Sequence, residues 1–272
     1  MKKRHPATEA VRIQTAKTEQ MEHSTPMFLT SSFTYHSAEE MAAAFSDDSL
    51  DINIYSRFSN PTVDEFIDKV AALECAEAGV ATGTGMAAVF ATFMSFLKAG
   101  DHILSASAVF GSTHTLLIKY LPKWGIETSY FDMRKPESVE ACIRPNTKML
   151  YVETPSNPGL DIIDIAFLAE ICKAKNILLV VDNCFATSAL QQPILLGADL
   201  VVHSATKFID GQGRVLGGVV VGKKELIHEM YLFIRNSGPS LSPFNAWVLS
   251  TSLEPLHIRM EKHSDQALTL AK

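Results

Sequence analysis

At 272 residues, 47% of them hydrophobic, the chain is long enough to bury a full core as one large or two small domains. Its 24 basic and 30 acidic residues give a formal charge of −6, with no basic block beyond Lys2-Lys3-Arg4, which argues against a nucleic-acid partner. No apolar run approaches a membrane span, the four cysteines (Cys75, Cys142, Cys172, Cys184) lack CxxC spacing and the nine histidines lack metal-site grouping, which predicts a cytoplasmic protein with reduced thiols, no membrane and no metal.

Residues 1–50 show no clear alternation; Thr30-Ser31-Ser32 and Asp47-Asp48-Ser49 read as extended arm and loop, and an N-terminal arm is assigned to 1–55. At Asn60-Pro61 a helix begins: asparagine caps, proline suits the first turn, and Asp64 and Glu65 favour the positive end of the dipole. Val63, Phe66, Ile67, Val70 and Leu73 then recur at helical spacing. The pattern predicts a helix over about 86–98, a strand over His102–Ala106 and a helix over about 112–123. The strand Glu127–Phe131, a short helix and the strand Met149–Glu153 follow, then a helix over 164–175. Strands at Leu178–Val181, Leu200–Val202 and Gly218–Val221 complete the alternation. Strands separated by helices predict an α/β fold, a mostly parallel sheet with helices on both faces. In such sheets the ligand sits at the carboxyl ends of the strands, where Glu153, Asp182 and Ser204 all fall. After the break Pro239-Ser240-Leu241-Ser242-Pro243, residues 244–272 read as one long helix interrupted at Pro255. A helix this long with nothing to cover it leads toward another domain, so the chain reads as one that ends early.

Three features bear on chemistry. Lys207 stands just past a short apolar strand, with hydroxyls at Ser204 and Thr206; Asp182 ends the apolar run Leu178-Leu179-Val180-Val181; Gly83-Thr84-Gly85-Met86 opens a helix. Taken singly, each has a bland reading: a surface lysine, a turn aspartate and a tight glycine turn. Together, in this order on an alternating α/β chain, they are what is needed to hold pyridoxal 5'-phosphate. The lysine bonds the aldehyde, the acid pairs with the ring nitrogen and the helix start takes the phosphate. A nicotinamide-dependent dehydrogenase on a similar sheet is excluded by the lack of a GxGxxG turn between a first strand and helix.

Tyr55-Ser56-Arg57-Phe58-Ser59-Asn60-Pro61-Thr62, Gly85-Met86-Ala87-Ala88, Glu153-Thr154-Pro155-Ser156-Asn157-Pro158, Asp182-Asn183 and Ser204-Ala205-Thr206-Lys207 resemble, in the same order, the cysteine/methionine-metabolism family of pyridoxal-phosphate enzymes. The resemblance implies the aspartate-aminotransferase-like fold (fold type I), with a cofactor-binding large domain over 56–238. The 239–272 helix would run toward a small C-terminal domain absent from these residues. It implies Lys207 as the catalytic lysine, Asp182 at the pyridine nitrogen, and Gly85, Met86, Ser204 and Thr206 at the phosphate. It further implies Phe110 stacked on the ring and Asn157 at the phenolic oxygen. Tyr55 and Arg57 would reach the phosphate from a neighbouring subunit, making the protein a homodimer or homotetramer. Cys184, in place of a common threonine, reads as packing.

Some positions depart from the family's pattern: Thr84 stands for a usual serine, Phe110 for a frequent tyrosine, and Ser252 and Pro255 for glycine and threonine. Within the family, Asp210-Gly211-Gln212-Gly213-Arg214-Val215-Leu216-Gly217-Gly218, Val109-Phe110-Gly111-Ser112 and Val181-Asp182-Asn183-Cys184-Phe185 resemble the homoserine-ester sulfhydrylase branch. That branch implies γ-replacement in methionine biosynthesis, with an amino-acid ester and sulfide as substrates. A γ-lyase or cystathionine synthase is the alternative enzyme, and a cofactor-binding but non-catalytic fragment is the alternative of another class. Neither Arg235 nor Arg259 carries a motif that would make it the grip on the substrate's α-carboxylate.

Overall fold

The structure, a computed structural model, describes residues 4–46 and 52–272. The expected loop at Asp47-Asp48-Ser49 and the basic Lys2-Lys3 lie outside the described residues. The patternless first stretch contains two short helices, α1 (Pro6–Arg12) and α2 (Ala38–Ser46). Seven and nine residues give too few turns for a hydrophobic period to declare itself. The arm is tied to the body where Glu65 accepts the Thr15 amide at 2.7 Å and where the Trp247 indole donates to Thr25 O at 3.2 Å.

Helix α3 (Pro61–Glu74) starts as its chemistry dictates, with the Asn60 side chain accepting from Thr62 N at 3.0 Å. Phe66, Val70 and Leu73 form its buried stripe. Strand β1 (Ala78–Thr82) follows, then α4 (Gly85–Phe96), β2 (His102–Ala106), α5 (Gly111–Thr115) and β3 (Glu127–Phe131). The helix expected over 112–123 is irregular: α5 passes into a π turn (Leu116–Tyr120) and a 3-10 turn (Leu121–Trp124) that carries Pro122. Next come α6 (Val139–Cys142), β4 (Thr147–Glu153), α7 (Ile165–Lys175), β5 (Leu178–Asp182), α8 (Thr187–Leu190), β6 (Leu200–Ser204), β7 (Gly218–Gly222) and α9 (Lys224–Ser237).

The seven strands form one sheet in the order β1-β7-β6-β5-β4-β2-β3. β3, β2, β4, β5 and β6 run parallel, while β7 returns antiparallel to β6 and β1 pairs antiparallel to β7. Val180, Val181, Val201, Val202 and Val219–Val221 are all buried, as expected of central strands covered on both faces. The sequence pattern did not yield β1 or α9. β1 is Ala-Gly-Val-Ala-Thr, small residues with a single aliphatic β-branched side chain, so it carries little strand signal. α9 had a usable one: Ile227, Met230 and Ile234 repeat at helical spacing and Gly238 closes the end at φ +90°.

The 244–272 stretch is two helices, α10 (Pro243–Leu253) and α11 (Leu256–Ala271), broken at Pro255 as the proline requires. The guanidinium of Arg259 on α11 donates to Phe208 O (2.7 Å), Ile209 O (2.9 Å) and Ser252 O (2.9 Å). Gly211, at φ +70°, lets it pass, since a Cβ there would collide with the guanidinium. Ser252, unusual for the family, accepts from Arg214 Nη2 at 2.5 Å, and buried Asp210 accepts Arg214 Nε at 3.0 Å. The loop after Lys207 is thus fastened to the last two helices. Among the described residues no helix is long and apolar enough to cross a membrane.

Candidate active site

The carboxyl ends of β4, β5 and β6 and the amino end of α4 meet at one place. Thr84 caps α4: its Oγ1 accepts from Ala87 N at 3.0 Å, and its carbonyl takes Ala88 N at 3.1 Å. The Gly85 and Met86 amides are left without an acceptor inside the helix. Gly85 is needed for close approach, because a Cβ there would collide with Ser204 at the end of β6. Gly218 on β7 is needed likewise, since its Cβ would strike Thr84 O. These close approaches set two free amides, the positive end of a helix dipole and the Ser204 hydroxyl side by side, an arrangement suited to a phosphate.

A cavity of about 200 Å³ opens there. Eight of the ten expected site residues line it: Gly85, Met86, Phe110, Asn157, Asp182, Ser204, Thr206 and Lys207. Lys207 is exposed, in the turn that follows β6, and its own amide donates to Ser204 O at 3.1 Å. The Phe110 ring is half open to solvent beside it. The Thr206 hydroxyl is already engaged with Gly217, donating to its carbonyl at 3.3 Å and accepting from its amide at 3.2 Å. Of the two hydroxyls, Ser204 is the less committed.

Asp182 is buried at the end of β5, where Oδ2 accepts from the Tyr151 hydroxyl at 2.9 Å and Oδ1 from Cys184 N at 3.1 Å. Burial raises its pKa, and these two bonds and the nearby His203 oppose the rise. Cys184 lines the cavity, but burial and then the Asp182 charge push its thiol well up, and its sulfur accepts Ser204 N at 3.1 Å. It packs as a thiol rather than a thiolate nucleophile. Behind the sheet, Glu74 Oε1 bonds His203 Nε2 at 2.7 Å and accepts from Asn183 at 2.8 Å.

The sequence places Glu153 at the ligand end of its strand but gives it no role. It stands directly across the β4–β5 ladder from Asp182 and lines the same cavity. Its two oxygens accept from Phe110 N (2.7 Å) and Asn157 N (3.0 Å), joining the backbones of two loops that carry expected cofactor contacts. What no motif records is its pairing with Asp182 across the ladder and its grip on two loop amides. Burial first, then the Asp182 charge, push its pKa up to about 7. A carboxyl whose folded pKa is raised favours folding fully below its unfolded value. That contribution is lost as pH rises through the folded value. Glu153→Gln removes this dependence but leaves one amide oxygen for two N–H donors, at a cost of about 1–3 kcal/mol. Thermal melts are expected to show the variant below wild type at pH 5, with the gap narrowing by pH 7.5.

Tyr55 and Arg57 do not line the Lys207 cavity. The Arg57 guanidinium lies over the Phe58 and Tyr55 rings and donates to Arg235 O, beside a separate cleft of about 460 Å³. Arg259 already serves three carbonyls, and Arg235 lies over the Phe58 ring at 4.3 Å.

Known proteins resemble this chain along its length. It is 51% identical to an O-succinylhomoserine sulfhydrylase of Pseudomonas aeruginosa, covering 97% of this chain and 66% of that one. It is 39% identical to an L-methionine γ-lyase of Porphyromonas gingivalis, covering 91% and 63%. The chain thus spans just under two thirds of the length of these curated relatives. A solved structure from Campylobacter jejuni, assigned as an O-acetylhomoserine (thiol)-lyase and containing N'-pyridoxyl-lysine-5'-monophosphate, superposes with TM-score 0.93 at 31% identity. That match covers 98% of this chain and 75% of the other. The sheet is accordingly that of fold type I pyridoxal-phosphate enzymes. The family model for "Cys/Met metabolism PLP-dependent enzyme" matches residues 7–272, nearly the whole sequence, including every residue around the Lys207 cavity. The chain belongs to that family.

Proposed function

We propose that the protein carries out γ-replacement, converting O-succinylhomoserine and sulfide to homocysteine and succinate. The observation that carries this reading is the convergence of Lys207, Asp182, Phe110 and the α4 amino end on one cavity. The 51% identity to an O-succinylhomoserine sulfhydrylase favours the succinyl ester.

When bound, pyridoxal phosphate supplies an electron sink for negative charge developing at the Cα of an amino acid. The residues present fit it. Gly85, Met86 and Ser204 would hold its phosphate, the Phe110 ring one face and Asn157 its phenolic oxygen, while Asp182 keeps a proton on its ring nitrogen. Lys207 would anchor the aldehyde and, once released by the substrate amine, take the proton from Cα, pass it to the cofactor's C4' and, neutral again, take one from Cβ. The C–O bond at Cγ breaks, succinate leaves with that electron pair, and a C–S bond forms from hydrosulfide. Lys207 then returns the protons. Phe110, having no hydroxyl, takes no part in proton transfer, leaving that work to the lysine.

Tyr55 and Arg57, outside the Lys207 cavity of their own chain, would complete the site of a second copy, their guanidinium and phenol meeting its phosphate. The test is succinate release from O-succinylhomoserine with homocysteine formed in equal amount when sulfide is present. Release of a 2-oxo acid and ammonia without sulfide would favour the second reading, γ-elimination, supported by the 39% identity to a methionine γ-lyase. Bound cofactor whose spectrum ignores substrate would favour a non-catalytic role.

A further inference from the structure

Strand β4 presents two acidic side chains on one face of the sheet, Tyr151 and Glu153, two residues apart. Glu153 pairs across the ladder with Asp182 and Tyr151 with Val180, so the phenol lies one pleat back from the carboxylate. The Tyr151 ring is fully buried and stands edge-on to Phe93, centroids 5.2 Å apart at 79°. A buried phenol needs a hydrogen-bond partner, and a main-chain carbonyl would serve. Here the partner is the Asp182 carboxylate, at 2.9 Å from Oη to Oδ2. Burial, then the charges of Asp182 and Glu153, raise the phenol well above its ordinary range, so it stays a donor.

We infer that Tyr151 is a positioning residue that fixes the Asp182 carboxylate for the ring nitrogen of the cofactor. This rests on the role proposed above for Asp182. The phenol holds Oδ2 and the Cys184 amide, at 3.1 Å, holds Oδ1, so the carboxylate cannot turn without breaking both. The other titratable groups around Asp182 are Glu153 on β4, His203 on β6, Cys184 and Lys207. Among the described residues only Tyr151 gives it a side-chain hydrogen bond. Without that donor the charged carboxylate loses support, binds a proton more readily and holds a ring N–H less well.

Tyr151→Phe keeps the ring and its contact with Phe93, so the variant is expected to fold with the wild-type circular dichroism spectrum. Equilibrium dialysis would give dissociation constants for pyridoxal phosphate and for its 1-deaza analogue, in which C–H replaces the ring nitrogen. Wild type is expected to prefer the natural cofactor. Tyr151→Phe is expected to lose about 10-fold in affinity for pyridoxal phosphate and little for the analogue, narrowing the preference. Equal weakening of both ligands, or an undiminished preference, would overturn the inference while leaving the Asp182 assignment intact. A wild type that binds both ligands equally would instead remove the Asp182 assignment, and the inference with it.

Discussion

Lys207→Ala is expected to abolish covalent attachment of pyridoxal phosphate and to lower turnover by about 10³-fold, within the range that a positioned acid–base group contributes. Borohydride reduction and peptide mapping of the loaded wild type should label Lys207, and the variant should carry no label. The expectation is specific because the buried lysine of α3 is already occupied. Lys69 is fully buried, 3.1 Å from Glu65 Oε1 and 3.5 Å from Glu254 Oε1, and does not line the cavity. Its amine is engaged by these two carboxylates, away from the aldehyde's site. Lys207 has the turn after β6, the cavity and the neighbouring strand ends to itself. Label recovered at any other lysine in the variant, with activity retained, would move the reactive amine elsewhere.

Arg57→Ala is expected to be nearly inactive alone, and so is Lys207→Ala, yet a mixture of the two, refolded or co-expressed, should recover activity. If Arg57 serves a partner's site, random pairing puts both defects in one site of each mixed dimer and leaves the other intact. The expected recovery is about a quarter of wild type for a two-fold assembly. If Arg57 acts within its own chain, every site keeps one defect and nothing returns. The geometry that motivates the experiment is the Arg57 side chain turned over Phe58 and onto Arg235 O, at a cleft separate from the Lys207 cavity.

Much of the sheet was legible because its strands are continuous Val/Leu/Ile runs, such as Leu178–Asp182, whose length and flanks leave little choice. Strand order was not legible. The antiparallel return of β7 depends on packing that no local pattern records. The site was legible where chemistry requires a particular residue at a particular place, as at Lys207, Asp182 and Gly85. Glu153 was placed at the strand ends without a role, and Tyr151 escaped, because their importance lies in partners brought near by the ladder. A glutamate before Thr-Pro and a tyrosine inside a strand look ordinary until β5 is laid beside them. Thr206, whose hydroxyl reads as a phosphate donor, lines the cavity while bonded to Gly217, a tie that no motif records.

The close approaches of Gly85 to Ser204 and of Gly218 to Thr84 also bear on how such a protein can diversify. At this wall the two glycine backbones lie against the Ser204 side chain and the Thr84 carbonyl, with no room for an added Cβ. That wall is closed to gradual change. The cavity is also lined by Phe185 and Leu216, side chains that meet no glycine backbone in this way. Mutations that alter what is accepted while keeping the fold have their open route there, so one anion cradle can be inherited unchanged beneath a succession of different specificities.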